Sequence, residues 1–416
     1  MKKFCLNNLF TIVLFIILIP VFIYADDELL EDDLSYGDSI IETSTSYSDE
    51  PVINARHAII LDRNSKKTIY GKNENEKCKM ASTTKIMTAI IVIENSELDK
   101  IVEVSSKAAG TGGSRLGLSK NDKISVEHLL YGLMLCSGND AAVALAESTA
   151  GNIENFALMM NKKAKELNLT DTNFVTPHGL DNESHFTSAC DLAHLADYAL
   201  KNKIFSKIVK TQTYAIYING KIKTLHNTNE LLGNYEGIYG IKTGFTNGAN
   251  RCLVTSCKRG DLDFICVVLG CDTKKDRTRD SVKLLNYAFN NFTLINTKDI
   301  VINKFNEWKL SHKNSIYINK GKFQNLNLYL DEKSFPFTNV AIKSSEKDNV
   351  CVDIVFSSYF EAPLHKNTCI GNIFLSINNT NIYSINILNK NDILKKKTLD
   401  YILLIFQNYF NYFAQS

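Results

Sequence analysis

Ala81–Ser82–Thr83–Thr84–Lys85–Ile86–Met87–Thr88–Ala89 is the most informative stretch of the chain. Ile86, Ala89, Ile90 and Ile93 recur at helical spacing, so the stretch opens a helix with an apolar face. Ser82 and Lys85 stand three residues apart at its start, which puts their side chains on one face and within reach. A serine hydroxyl is a weak nucleophile until a neighbouring base takes its proton. Lysine serves as that base only when its charged form is disfavoured, by desolvation or by a second cation. A backbone N–H at a helix N-terminus is also free to face a developing oxyanion. Alone, the pair fits equally a serine N-cap with a solvated lysine one turn on.

Two further pieces remove that ambiguity. Ser137–Gly138–Asn139 lies between the apolar run Leu129 to Leu135 and another, Ala141 to Ala146, a loop able to present a hydroxyl and an amide. Lys242–Thr243–Gly244 ends a strand that includes Gly240–Ile241–Lys242, where the glycine allows a ligand close to the backbone. Ser-x-x-Lys, Ser-x-Asn and Lys-Thr-Gly, in this order, form the motif set of active-site-serine penicillin-recognising enzymes.

With these motifs the chain resembles the low-molecular-mass penicillin-binding proteins that are serine-type D-Ala-D-Ala carboxypeptidases, over about residues 51 to 390. Asn173 to Asp181, Ser188 to Ala193 and Gly240 to Thr246 look like further stretches of that family. The resemblance implies an α/β fold of the β-lactamase/transpeptidase type, an antiparallel sheet flanked by helices, with a second, small all-β domain. It implies Ser82 as nucleophile, Lys85 as general base and Ser137 as proton relay to the leaving D-alanine. Asn139 would hold the substrate amide, and Lys242 would supply positive potential. Thr243 would meet the terminal carboxylate, with Gly244 beside it, and the N–H groups of Ser82 and Phe245 would form the oxyanion hole. Arg277 looks like the family's arginine near that carboxylate, the alternative being a surface arginine. His178 has no serine partner nearby in sequence and reads as support for the loop behind the site. Phe245 stands where some members carry histidine, and Thr83 where leucine is commoner. The implied partners are peptidoglycan stem peptides as substrate and β-lactams as inhibitors; no cofactor and no metal are implied. A β-lactamase and a catalytically silent wall-binding protein are the rival readings.

The rest of the 416 residues fits an exported protein. The length argues for two or three domains, and 44% hydrophobic with 22% charged residues is an ordinary globular composition. A net charge of +2 argues against an electrostatic nucleic-acid binder. Lys2 and Lys3 before the apolar run Leu9 to Ile19 read as a signal peptide over residues 1–25. Residues 26–50 hold ten acidic residues and no lysine or arginine, the composition of a disordered leader. The catalytic domain is expected at 51–296 and the β domain at 297–390. Residues 391–416 would then form an amphipathic helix at a membrane interface, with Leu399, Ile402, Leu403, Phe406 and Phe410 on one side. The location implied is the outer face of a bacterial cell membrane. Cys252, Cys257, Cys266 and Cys271 are enough thiols for a zinc site, but the first two lie five apart on a strand and so face opposite ways. They read as buried thiols.

Overall fold

The computed structural model describes residues 50–312 and 315–415; the stretch read as a signal peptide and nearly all of the stretch read as an acidic leader lie outside them. The first strands, β1 (His57–Asp62) and β2 (Thr68–Lys72), form an antiparallel hairpin. A 3₁₀ turn at Ala81–Thr84 leads into α1 (Lys85–Asn95), whose first eight residues are all buried. A helix apolar on every side belongs in the middle of a core, and α1 occupies that place. Around it lie β3 (Ile101–Glu103), α2 (Ser106–Ala109), β4 (Lys123–Ser125), α3 (Val126–Leu135), α4 (Asn139–Ala150), α5 (Ile153–Glu166), α6 (Ala189–Leu200) and α7 (Lys203–Lys210). Side-chain caps from Ser125 and Ser188 set the starts of α3 and α6, each accepting an N–H from the first turn.

A short hairpin, β5 (Thr213–Ile218) with β6 (Lys221–His226), precedes β7 (Ile238–Thr246), β8 (Asn250–Arg259) and β9 (Leu262–Cys271). The main sheet has the order β2-β1-β9-β8-β7 and every pairing in it is antiparallel. Helices α1 and α3 to α7 cover one face, and α8 (Lys274–Asn291) packs on the other. Cys252 belongs to the first core and Cys257 to the second, so alternation along β8 divides the thiols between the two faces, as the spacing requires. The nine described cysteines are free, and burial pushes the Cys257 thiol up to about 12. Cys252, Cys257, Cys266 and Cys271 are core residues.

The C-terminal unit opens with β10 (Phe292–Asn296) and α9 (Thr297–Ser311). It continues through β11 (Tyr317–Asn319), β12 (Leu328–Leu330), β13 (Asn339–Lys343), β14 (Val350–Phe356), β15 (Tyr359–Glu361), β16 (Cys369–Ile377) and β17 (Thr380–Asn389). Its main sheet is antiparallel in the order β12-β17-β16-β14, and β10 pairs with β13. Helix α9 is an addition to the expected strands: Val301, Phe305 and Trp308 share a core with Ile373, Leu375, Ile385 and Ile387. The buried Asp62 carboxylate joins the two units, accepting from Ala341 N–H at 3.1 Å and from Ser65 Oγ at 2.6 Å. The last helix, α10 (Thr398–Gln415), leaves Leu399, Ile402, Phe406 and Phe410 exposed. Among the described residues, no helix is long and apolar enough to cross a membrane.

Candidate active site

The turn that carries Ser82 is braced from within. Thr83 Oγ1 donates to the Met80 carbonyl at 2.6 Å and Thr84 Oγ1 to the Ala81 carbonyl at 2.8 Å. A 3₁₀ turn has three residues per turn, so positions three apart eclipse. Lys85 therefore comes to lie directly over Ser82, and its Nζ is 2.7 Å from Ser82 Oγ. The same Nζ is 2.7 Å from Asn139 Oδ1 and 3.0 Å from the His178 carbonyl oxygen. Lys85 is fully buried. Ala81 and Ser137 are both held at positive φ, +48° and +62°. Each such non-glycine residue costs about 1–3 kcal/mol, which the surrounding packing must overcome.

From the second motif Asn139 reaches this turn through Lys85, and from the third Gly244 lies against it. Ser137 lies between α3 and α4 and is 4% exposed. Asn139, the first residue of α4, uses both ends of its amide inside the protein: Oδ1 accepts from Lys85 and Nδ2 donates to the Gly112 carbonyl at 2.7 Å. Lys242 and Thr243 are buried in β7, with Lys242 Nζ 3.0 Å from the Thr243 carbonyl. The Thr243 hydroxyl is paired at 2.6 Å with the Thr228 hydroxyl. Gly244 brings β7 against the serine turn, since a Cβ there would sit 3.0 Å from Ser82 N and 3.2 Å from Thr83 N. The Phe245 ring is covered by the Arg251 guanidinium, 3.9 Å from its centroid. Arg277 is only 2% exposed, which removes the surface-arginine reading; its Nη2 lies 3.8 Å from Glu230 Oε2.

The loop behind the serine supplies contacts that the motifs do not announce. Gly179 has φ +88°, and a Cβ there would collide with the Ala81 carbonyl. Asp181 ties this loop to the end of β7, accepting from Thr246 Oγ1 at 2.7 Å and Gly248 N–H at 2.8 Å. The buried His185 takes the Val175 N–H on Nδ1 at 2.9 Å, which leaves Nε2–H to donate to Thr84 Oγ1 at 2.8 Å. His178 Nδ1 accepts the Leu180 N–H at 3.2 Å. Support behind the site is thus the observed place of His178, and its backbone carbonyl is what reaches Lys85. These contacts escape sequence reading because a carbonyl carries no residue signature.

Both imidazoles are held neutral. Burial, with the Lys85 charge next, lowers His178 from 6.5 to about 3. Burial lowers His185 from 6.5 to about 4. A depressed histidine pKa means that the unfolded chain binds more protons than the native state below pH 6.5. The stability these groups contribute is therefore complete above about pH 6.5 and is lost progressively as pH falls toward 4 and 3. Urea unfolding across that range should show the decline, and His185→Gln should flatten its slope. An unchanged slope in the variant would remove His185 from this account.

Comparison with known proteins agrees with this geometry. Residues 44–273 match the family model for D-alanyl-D-alanine carboxypeptidase, and residues 292–395 match that for the penicillin-binding protein 5 C-terminal domain. The D-alanyl-D-alanine carboxypeptidase DacF of Bacillus subtilis is 36% identical over 329 residues, covering 77% of this chain and 81% of the relative. DacA of Escherichia coli is 29% identical over 384 residues, 86% of this chain and 90% of its own. The structure of penicillin-binding protein 5 from Haemophilus influenzae superposes with a TM-score of 0.68 at 27% identity, over 83% of this chain and 99% of that one. A Streptomyces DD-transpeptidase, 35% identical, covers 58% of this chain and 99% of its own with a TM-score of 0.56. The DD-transpeptidase thus aligns over a length close to that of the first unit, whereas the penicillin-binding protein aligns over both. The order of motifs, the sheet they fold onto and the unit that follows have one common explanation: the chain belongs to the D-alanyl-D-alanine carboxypeptidase family of serine peptidases.

Proposed function

We propose that Ser82 is the acylating nucleophile of a D,D-carboxypeptidase that removes the terminal D-alanine from peptidoglycan stem peptides on the outer side of the cell membrane. The observation that carries this reading is the surroundings of Lys85 Nζ. Two of its neighbours, Asn139 Oδ1 and the His178 carbonyl, accept hydrogen bonds only. A neutral amine has two N–H groups and one lone pair. With both N–H groups directed at these oxygens, a neutral Lys85 would turn its lone pair to the Ser82 hydroxyl, whose Oγ is 2.7 Å from Nζ. Burial favours this neutral form.

The reaction then runs in two halves. Ser82 Oγ attacks the carbonyl carbon of the penultimate D-alanine as its proton passes to Lys85 Nζ. The oxyanion forms beside the N–H groups of Ser82 and Phe245, which the approach at Gly244 holds together. Collapse breaks the C–N bond, and the leaving amine of D-alanine takes a proton through the Ser137 hydroxyl. In the second half a water attacks the Ser82 ester, gives its proton to Lys85, and frees the shortened peptide as Ser82 recovers its hydroxyl proton. A β-lactam would acylate Ser82 by the same first half.

The buried Lys242 adds positive potential to the cleft, and Thr243 with Arg277 is the proposed seat of the terminal carboxylate. Asn139 serves here to aim Lys85, its amide being already engaged at both ends. The exposed apolar side chains of α10, which follow Lys395, Lys396 and Lys397, support a helix resting in a membrane interface. The test is D-alanine release by the full chain from a peptide ending in D-Ala-D-Ala, run beside hydrolysis of a penicillin. Peptide turnover with slow penicillin turnover is expected. Rapid penicillin hydrolysis with an untouched peptide would overturn the reading in favour of a β-lactamase.

A further inference from the structure

Near the Ser137 side of the cleft, one wall carries a group of cations that the mechanism does not use. In the β5–β6 hairpin, Lys223 pairs with Ile216 and Lys221 with Ile218. Ile216 is fully buried and Leu225 nearly so, and alternation puts Lys221 and Lys223 on this same inward face. Lys223 Nζ donates to the Leu116 carbonyl. At the hairpin tip, Asn219 accepts from Lys123 N–H at 2.9 Å and donates to Asp122 Oδ1 at 2.6 Å. The hairpin is thus fastened along residues 115–123, where Arg115, Lys120 and Lys123 are exposed, as Lys221 and Lys223 are opposite.

This wall adjoins the catalytic residues. The Asp140 carboxylate, one residue beyond Asn139, accepts the N–H groups of Leu116, Gly117 and Leu118 at 2.7, 2.8 and 2.9 Å. Cys136, directly before Ser137, gives a second line of evidence. Burial and then Asp140 push its thiol up, while the charges of Lys223 and Lys242 pull it down, so both ammonium groups act on the Ser137 loop. Besides Asp140, Asp122 and Glu103 lie along the wall. Asp122 is taken up by the hairpin tip and by Ser119 N–H at 2.7 Å, and Glu103 stands across from Lys123 in register. For a chain with a net charge of +2, this is a local concentration of positive charge.

We propose that this wall is a subsite for the anionic part of the substrate, favouring peptides with free carboxylates ahead of D-Ala-D-Ala over the same peptides as carboxamides. The inference rests on the D,D-carboxypeptidase reading above. Cations at the lip of a cleft raise the local concentration of an anionic substrate, and salt screens the effect within about 10 Å at 0.1 M. Because Lys223 is fixed to the loop that Asp140 holds beside Asn139, a bound peptide meets the wall while its end is at Ser82. This position favours a substrate peptide over a long anionic polymer.

The test uses the full chain and two peptides ending in D-Ala-D-Ala that differ only in a free carboxylate or a carboxamide ahead of that end. A preference of about 10-fold in kcat/KM for the acid is expected at low ionic strength, shrinking as salt is added. In Lys221→Gln/Lys223→Gln the preference should vanish. Lys120→Gln/Lys221→Gln, which spares the Leu116 contact, should lower the preference without slowing the amide. Equal turnover of both peptides by the parent would overturn the subsite and leave the carboxypeptidase reading intact. Equal slowing of both peptides in the variants would make the lysines structural and overturn it too. Salt-sensitive retention on an immobilised anionic polymer, with equal peptide turnover, would assign the wall to a polymer instead. D-alanine release from neither peptide would sink the carboxypeptidase reading, and the subsite with it.

Discussion

Ser82→Ala lowers D-alanine release by about 10³-fold or more and abolishes covalent labelling by a fluorescent penicillin, with little change in stability. The size follows from chemistry, since no ester forms without Oγ and both halves of the cycle pass through that ester. The small effect on stability follows from the packing. The turn is braced by the Thr83 and Thr84 hydroxyls, and Lys85 retains Asn139 and His178 as partners when Oγ is removed. A shift of no more than about 0.5 kcal/mol is expected, as for a substitution that removes no packing or cap. Residual turnover close to the parent's would move the nucleophile elsewhere, with Ser137 the first residue to examine. Loss of turnover accompanied by unfolding would refute the claim that the turn stands without Oγ.

The serine and its lysine were legible because a spacing of three puts two side chains together in either an α-helix or a 3₁₀ turn. The choice between those turns made no difference to the pairing. The cysteines were legible for a similar reason, since the period of a strand decides on which face each residue falls, and β8 is covered on both. Contacts made through backbone atoms were hidden. Nothing in the residue types of Pro177–His178–Gly179 says that the His178 carbonyl will reach Lys85. The amide of Asn139 was visible, but its bonds to Lys85 and to the Gly112 carbonyl depend on how distant segments fold together. Strand β6 escaped because Leu225 is its only buried side chain, so pairing with β5 holds it and not an apolar pattern. Helix α9 did leave a signal, Val301, Phe305 and Trp308 at helical spacing, within a stretch whose later segments read as strands. The burial of Lys85 and Lys242 has no counterpart in composition, although the proposed chemistry depends on it.

Gly244→Val should cost about 10²-fold in the rate at which a β-lactam acylates Ser82, while the chain stays folded. The reading of this glycine changes once the structure is known. Sequence suggests that it lets a ligand approach the backbone, whereas its nearest constraint is the protein's own serine turn. A Cβ at this position would stand 3.0 Å from Ser82 N, 3.1 Å from Ala81 Cβ and 3.2 Å from Thr83 N. The nitrogens belong to the backbone and cannot rotate away, so strand and turn must separate by a few tenths of an ångström for alanine and more for valine. β7 lies at one end of the main sheet and can yield outward without leaving β8. The displacement would widen the gap between the N–H groups of Ser82 and Phe245, where the proposed oxyanion forms. A donor aimed at a developing charge loses its effect quickly as it moves off position. Gly244→Ala should accordingly fall between the parent and valine. Stopped-flow acylation with a chromogenic β-lactam measures the rate, and a thermal midpoint measured on the same samples reports the fold. Parent-like acylation in a folded Gly244→Val chain would show that the oxyanion is held without β7. A graded loss from glycine through alanine to valine would tie the rate to the distance between strand and turn.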